Sequence, residues 1–465
     1  MNAHTSRPLR CAVAPSGFKE SLSAREAAEA IAEGLQRVVP DAETDLIPLV
    51  DGGEGTAEAL AAASGGALHH RIATGPVGDP VPTHFALLGP GARAGHGART
   101  AVVEMAAVAG LALVPPGRRD PGATTTRGVG ELVRAALDHG ARRVLVGCGD
   151  SGTSDGGAGA LQALGARLLD ADGRELPPGG RALTRLARID ASGLDPRLAD
   201  VELQVACNPF NVLAGPHGVA RVFGPQKGAT PEQVEELSAA LDRWALVLTR
   251  DVHEPRLARR ARGRPRAGRE TTGHPTGHAP GHPALAPPRL SLVSVDPAPA
   301  GLDLRHGPGT GASGGLGAGL AALGGQLLPR FDVLLDGLDL DARLARADLV
   351  VTAEGALDRQ TTRGKIPAEV ARRATAHGRP VLALAGTIGE GAREVRGAGV
   401  DAYHGILPRP VALAEALGRG GEFLADAAEA ALRMILIGTR LAGTPACPPP
   451  PARPAPLPGP ALASG

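Results

Sequence analysis

A strand, loop, helix alternation opens this chain, breaks off near residue 68 and returns only after residue 340. Such alternation builds parallel sheets covered by helices, so the two ends are predicted to share one sheet. Arg10–Ala14 is a short apolar run ended by Pro15, and Ala27, Ala28, Ile31, Leu35 and Val38 then recur at helical spacing. Thr44–Val50 reads as a second strand, Asp51-Gly-Gly-Glu-Gly55 as a loop and Thr56–Ala63 as a second helix. Beyond residue 340, strands are predicted at Ala347–Thr352, Pro380–Ala385 and Val400–Leu407, with helices at Pro367–His377 and Glu422–Ile437.

Five parallel strands with right-handed crossovers place helices on both faces, giving a flavodoxin-like, doubly wound α/β domain. The middle has another texture, with strands at Thr83–Leu88, Thr100–Glu104, Arg143–Val146 and Glu202–Ala206 and helices at Thr126–Asp138 and Ala158–Leu164. It reads as a second α+β domain inserted into the first. The predicted division is 1–68 with 303–440 for the discontinuous domain and 69–250 for the insertion. Residues 251–302 and 441–465 are low-complexity segments, rich in Arg, His and Pro or in Pro and Ala, and are expected to be disordered. His274, His278 and His282 recur at i, i+4 and i+8, but Pro275, Pro280 and Pro283 forbid one helical metal-binding face.

Aromatic residues make up 2% of the chain and the net charge is +1. A nucleic-acid role is therefore not expected, since it draws on stacking platforms or a basic field. Cys11, Cys148, Cys207 and Cys447 lack disulfide or zinc spacing. No apolar run reaches membrane-span length, so a cytoplasmic protein with no membrane partner is expected.

Of 49 basic residues only Lys19, Lys227 and Lys365 are lysine, and each sits in a glycine- or proline-punctuated loop. A compact ammonium does what a planar guanidinium does not in phosphate contact and proton-coupled chemistry. Ligands in open parallel sheets bind beyond the carboxyl ends of strands. The loops expected there are 15–21, 51–55, 353–365 and 386–391, which together gather lysines, carboxylates and glycines. That mixture suits a divalent cation and a phosphorylated ligand, with one carboxylate left to accept a hydroxyl proton. The simpler readings are a helix cap at Asp51, with Ser21 or Ser23 capping the first helix.

The insertion carries Gly147-Cys-Gly-Asp-Ser-Gly-Thr-Ser-Asp-Gly-Gly157 and Phe223-Gly-Pro-Gln-Lys-Gly228, which fit a small polar ligand or tight turns into helices. Glu104 and Thr124–Thr126 are weaker candidates of that kind. Gly309, Gly311 and Gly314 form GxGxxG, yet no strand precedes them, so the dinucleotide fingerprint fails while a phosphate cradle at a helix start stays open. GxxxxGK[ST], GxSxG and HExxH are absent.

Six blocks, APSGFKESLSA, VDGGEGTAEAL, GCGDSGTSDGGAGALQALGA, GPHGVARVFGPQKGA, PGTGASGGLGAGL and EGALDRQTTRGKIPAEVA, closely resemble the bacterial type I glycerate kinase family and appear in its order. The resemblance spans about residues 10–250 and 303–440. It implies ATP with Mg²⁺ as cofactors, D-glycerate as acceptor and 2-phosphoglycerate as the favoured product over 3-phosphoglycerate, and it leaves a homodimer open.

On that resemblance Lys19, Asp358 and Lys365 are the catalytic candidates, and Ser151, Thr153, Asn211 and Lys227 the substrate contacts. Gly309, Gly311, Gly314 and Glu354 are assigned to the nucleotide, and Asp51, Glu54 and Asp155 to the metal. The chain departs from the family pattern at Ser16-Gly17, at Asp150-Ser-Gly-Thr-Ser-Asp155 and at Asn208, where an Asp is common. Those departures keep two alternatives in view: a kinase of another small hydroxy acid, and a non-catalytic sugar-acid sensor.

Overall fold

The computed structural model describes residues 7–18, 21–89, 92–94, 99–263, 290–292, 301–335 and 339–442. Lys19, the histidine-rich stretch and the Pro-rich tail lie outside the described residues. The chain divides into two units, Met1–Asp51 with Leu338–Gly465 and Gly52–Gly337.

In the first unit five strands pair in the order Ala402–Gly405, Val381–Ile388, Leu349–Leu357, Arg10–Val13, Glu43–Leu46, every pair parallel. Cys11–Val13, Leu349–Ala353 and Val381–Ala385 are buried throughout, the continuous apolar runs that a sheet covered on both faces requires. Helix Ala24–Val38 starts at Ser23, whose Oγ accepts the Glu26 N–H at 3.2 Å while Glu26 Oε2 accepts the Ser23 N–H at 2.8 Å. This reciprocal cap satisfies two N–H groups left over at the helix start. The helix buries Ala27, Ala28, Ile31 and Leu35 and packs on helix Gly420–Ala442, where a Cβ at Gly34 would overlap the Ala425 carbonyl.

The regular strand ends at Leu46 rather than running to Val50, yet backbone pairing continues past it, Ile47 N–H donating to the Val13 carbonyl at 2.8 Å and Leu49 N–H to the Pro15 carbonyl at 3.0 Å. Pro48 lies between them, where an edge strand tolerates a missing N–H. Leu349–Leu357 and Val381–Ile388 run beyond their predicted ends, pairing Ala356 with Thr387 and Leu357 with Ile388. Gly355 and Gly386 permit this, since a Cβ on Gly386 would come within 2.6 Å of the Gly355 carbonyl oxygen.

The second unit holds a six-stranded sheet in the order Gln326–Pro329, Glu202–Cys207, Arg143–Gly147, Thr100–Glu104, Pro80–Leu87, Ala67–Thr74. Its first three pairings are parallel and the last two antiparallel. Helix Thr56–Ser64 packs on this sheet, and Gln326–Pro329 pairs with Glu202–Cys207. Both segments therefore fall in this unit, and its borders lie outside the 69 and 250 drawn from the sequence. Helix Pro231–Leu248 anchors the core through fully buried Trp244, whose Nε1–H donates to the Gly156 carbonyl at 2.8 Å.

Within the segment read as low-complexity, Glu254–Gly263 is helical, and Leu290–Leu292 pairs in parallel with Ala92–Ala94. The arginine-rich composition hid a helix that directly continues the π-helical segment Thr249–His253.

Candidate active site

In the first unit, functional side chains collect where strand Leu349–Leu357 leaves the sheet. Glu354 is 5% exposed and sits on the strand itself. Its Oε1 accepts the Thr361 hydroxyl at 2.6 Å, and its Oε2 lies 3.5 Å from Lys365 Nζ. Lys365 Nζ also donates to Asp358 Oδ1 at 3.3 Å and to the Ala356 carbonyl at 3.1 Å. Asp358 is tied into the turn, its N–H donating to Thr361 Oγ1 at 3.1 Å and its Oδ1 accepting the Gln360 N–H at 2.7 Å.

Lys365 is aimed by local backbone. Gly364 takes φ +90° to reverse the chain, and Lys365 is the extended residue before helix Ile366–Ala376, with Pro367 in the first turn. Burial pushes the Glu354 carboxyl up to about 7, against the attraction of Lys365 and the Thr361 hydrogen bond. A carboxyl balanced near neutrality beside an ammonium can exchange a proton with a bound hydroxyl or phosphate.

In the second unit, strands Thr100–Glu104, Arg143–Gly147 and Glu202–Cys207 end level, with Glu104 and Ala206 both opposite Gly147. The loops after them share one edge. Lys227 is 3% exposed and donates to Ser151 Oγ at 2.8 Å and to the Thr153 carbonyl at 2.6 Å. Burial pulls its ammonium down to about 7, with the Asp155 charge opposing. The enclosed ammonium supports the 151–153 loop from within, instead of meeting a ligand directly as the sequence suggested. The Thr153 hydroxyl is buried without a hydrogen-bond partner.

Asp155, assigned to a metal from sequence, is fully buried and already saturated. Its carboxylate accepts the Thr126 N–H at 2.8 Å, the Thr126 hydroxyl at 2.9 Å and the N–H groups of Gly157 and Gly159 at 3.1 Å. With donors on both oxygens it ties the start of helix Ala158–Ala163 to Thr126 and does not reach an ion. Among the described residues no group of three or more His, Cys, Asp or Glu side chains is placed to hold a metal. Glu54 is exposed, and its N–H donates to Asp150 Oδ2 at 3.3 Å; Asp51 is half-buried at the end of the first unit.

Gly309, Gly311 and Gly314 do not form a phosphate cradle. All three are buried. A Cβ at Gly309 would press within 2.6 Å of Cys207 Sγ, and at Gly311 or Gly314 it would overlap the Val212 or Thr153 carbonyl. The glycines let backbone approach backbone, which accounts for them by packing alone. Asn211 belongs to this packing, its carbonyl accepting the Gly311 N–H at 3.0 Å.

Two residues carry more than the sequence suggested. Glu104 is 1% exposed and accepts the N–H groups of Gly55 and Ala57, both at 3.0 Å, which caps helix Thr56–Ser64 from a neighbouring strand. Thr361 was not singled out; its only signal is a hydroxyl three residues after Asp358, the spacing of a side-chain-closed turn.

Two α/β units with parallel strands, each gathering a lysine, carboxylates and small hydroxyls just beyond strand ends, have the arrangement suited to an enzyme of small polar molecules. Residues 11–273 and 291–436 match the glycerate kinase family. The chain is 41% identical to a glycerate kinase of Bacillus subtilis strain 168, covering 94% of this chain and 99% of that one. It is 37% identical to the glycerate 2-kinase of Escherichia coli K12, covering 94% and 100%. A solved structure assigned as glycerate kinase 2 from Salmonella typhimurium LT2 superposes with a TM-score of 0.66 at 38% identity, covering 93% of this chain and 100% of that one. The chain belongs to the glycerate kinase family. Among the described residues no helix is long and apolar enough to cross a membrane.

Proposed function

We propose that this enzyme transfers a phosphoryl group from MgATP to D-glycerate, giving 2-phosphoglycerate. The observation that carries this reading is Lys365, held between Glu354 and Asp358 at the end of strand Leu349–Leu357. In chain order the strands of the first unit run 2-1-3-4-5, which supports a flavodoxin-like, doubly wound domain with Gly52–Gly337 inserted. The switch point of that order lies between strands Arg10–Val13 and Leu349–Leu357, where ligands of such sheets bind.

Lys365, with Lys19, stabilises charge on the transferring group, and Asp358 orients or deprotonates the acceptor hydroxyl. Ser151 belongs to the acceptor-binding loop that Lys227 supports. Magnesium commonly uses one or two carboxylates plus phosphate oxygens and waters, so it does not need a ready-made protein cage. Asp51 and Glu54 are the carboxylates proposed for it. Mg²⁺ when bound neutralises phosphoryl oxygens; the glycine-rich 309–314 segment takes no part in holding the nucleotide.

A second reading, a kinase of another small hydroxy acid, is favoured by two local observations. Ser16 Oγ donates to the Ala353 carbonyl at 3.0 Å, and Asn208 Oδ1 accepts the Phe210 N–H at 3.0 Å. Neither position supplies the carboxylate common in the family. ADP release measured with D-glycerate, L-glycerate and a panel of small 2-hydroxy acids decides between them. A kcat/KM for D-glycerate well above every other acid supports the primary reading, and a higher value for another acid replaces it.

A further inference from the structure

We propose that Thr361 is a positioning residue for phosphoryl transfer, setting the Lys365 ammonium by holding the Glu354 carboxylate and the Asp358 turn on one hydroxyl. The proposal rests on the reading of Lys365 as the charge-stabilising group. Thr361 is fully buried in the turn Thr361–Arg363, between the strand that carries Glu354 and the helix that Lys365 precedes. Its oxygen accepts the Asp358 N–H at 3.1 Å, and its single hydrogen is directed to Glu354 Oε1 at 2.6 Å. A hydroxyl has one hydrogen to donate, so occupying a lone pair with the Asp358 N–H leaves that hydrogen for Glu354.

The consequence is a fixed orientation. With Oε1 held by Thr361, Glu354 turns Oε2 to Lys365 at 3.5 Å, while the same Thr361 oxygen fixes the turn that brings Asp358 Oδ1 to 3.3 Å from that ammonium. Of the charges acting on Glu354, the Lys365 ammonium favours its ionised form and the Asp358 carboxylate opposes it. Removing the hydroxyl takes a donor from a buried carboxylate and an acceptor from the Asp358 N–H. Glu354 then keeps its proton to higher pH, and Lys365 is left with Asp358 and the Ala356 carbonyl. Valine is nearly the same shape as threonine and serine keeps the hydroxyl, so the two substitutions separate shape from hydrogen bonding.

The test compares wild type, Thr361→Val, Thr361→Ala and Thr361→Ser by steady-state kinetics across pH 5.5–9 and by infrared titration of the Glu354 carboxyl, assigned by difference from Glu354→Gln. The expected result is a kcat lowered on the order of ten- to a hundredfold in Thr361→Val, with a smaller change in the KM for glycerate. Glu354 should titrate at higher pH in Thr361→Val, and Thr361→Ser should recover most of both effects. A Thr361→Val protein with wild-type kcat and an unmoved Glu354 titration overturns the proposal, as does a Thr361→Ser protein as impaired as the valine variant. Thr361→Ala serves the same comparison where valine does not fold. The infrared arm needs no turnover, so a wild-type protein inactive on glycerate counts against the functional reading while the Thr361–Glu354 linkage is still decided.

Discussion

The Lys227 ammonium lies 2.6 Å from the carbonyl oxygen of Thr153, closed off from solvent at 3% exposure. Burial holds its pKa down at about 7, well below its ordinary 10.5. Between those values the unfolded chain binds the proton that the folded chain has released, so folding stability contributed by Lys227 rises with pH across that window. A neutral amine still donates to Ser151 and Thr153.

The first prediction is that the stability advantage of wild type over Lys227→Met grows from pH 7 to pH 9.5, by up to about 1.4 kcal/mol per pH unit. Urea unfolding at the two pH values measures it. An advantage that is flat or shrinks with pH contradicts the burial of a titrating ammonium.

Glu104 predicts the opposite slope. Burial pushes its carboxyl up to about 7, against the two backbone hydrogen bonds from Gly55 and Ala57. Because the folded value is raised, the folded state holds a proton the unfolded state has lost between about pH 4.5 and 7, and stability falls as pH climbs through that range. Glu104→Gln cannot titrate, but its NH₂ takes the place of one accepting oxygen and faces a backbone N–H. It should start less stable than wild type at pH 5, and the gap should narrow by up to about 3 kcal/mol by pH 8.5, checked by denaturant titration at both.

Glycine positions separate close packing from simple turn geometry. Gly314 has φ +70° and a Cβ there would overlap the Thr153 carbonyl, whereas Gly55 has φ +84° with nothing within 4 Å. Gly55→Ala should cost about 1 kcal/mol, the strain of a left-handed residue. Gly314→Ala adds displaced backbone and should lower stability by about 3 kcal/mol or more. Thermal unfolding of the pair distinguishes a packed backbone crossing from an open loop, where the two costs would be equal.

Lys365→Met should lower turnover by about 10²–10³, the scale of removing one group that stabilises transition-state charge. Its side chain is 29% exposed, so the fold should survive, with the unfolding midpoint little changed. Kinetics with circular dichroism measure both, and near wild-type turnover removes Lys365 from the site.

How far the sequence reaches varies by element. The apolar runs around Cys11–Val13, Val350–Ala353 and Val381–Ala385 declared the first sheet because burial on both faces leaves few polar residues in them. Ala67–Thr74 was silent: an antiparallel edge strand with two histidines and only Ala73 buried carries no clean alternation. Gln326–Pro329 is four residues long and follows Gly324-Gly325, too short a signal to assign it to the second sheet.

The site was legible in residue type more than in role. Asp358, Lys365 and Glu354 do converge, yet Asp155 and the 309–314 glycines turned out to serve packing. Asp-Gly-Gly and GxGxxG spell out a backbone that must bend or approach closely; whether a ligand or another strand of backbone fills the space depends on tertiary contacts that spacing does not encode. Thr361 escaped notice for the same reason, since its importance lies in two partners it meets only after the turn closes.

The most direct test is ³¹P NMR of the purified protein with MgATP and D-glycerate. The proposed function predicts ADP appearing together with a 2-phosphoglycerate resonance. Folded protein that yields no phosphoglycerate, or that yields the 3-phospho isomer, contradicts it.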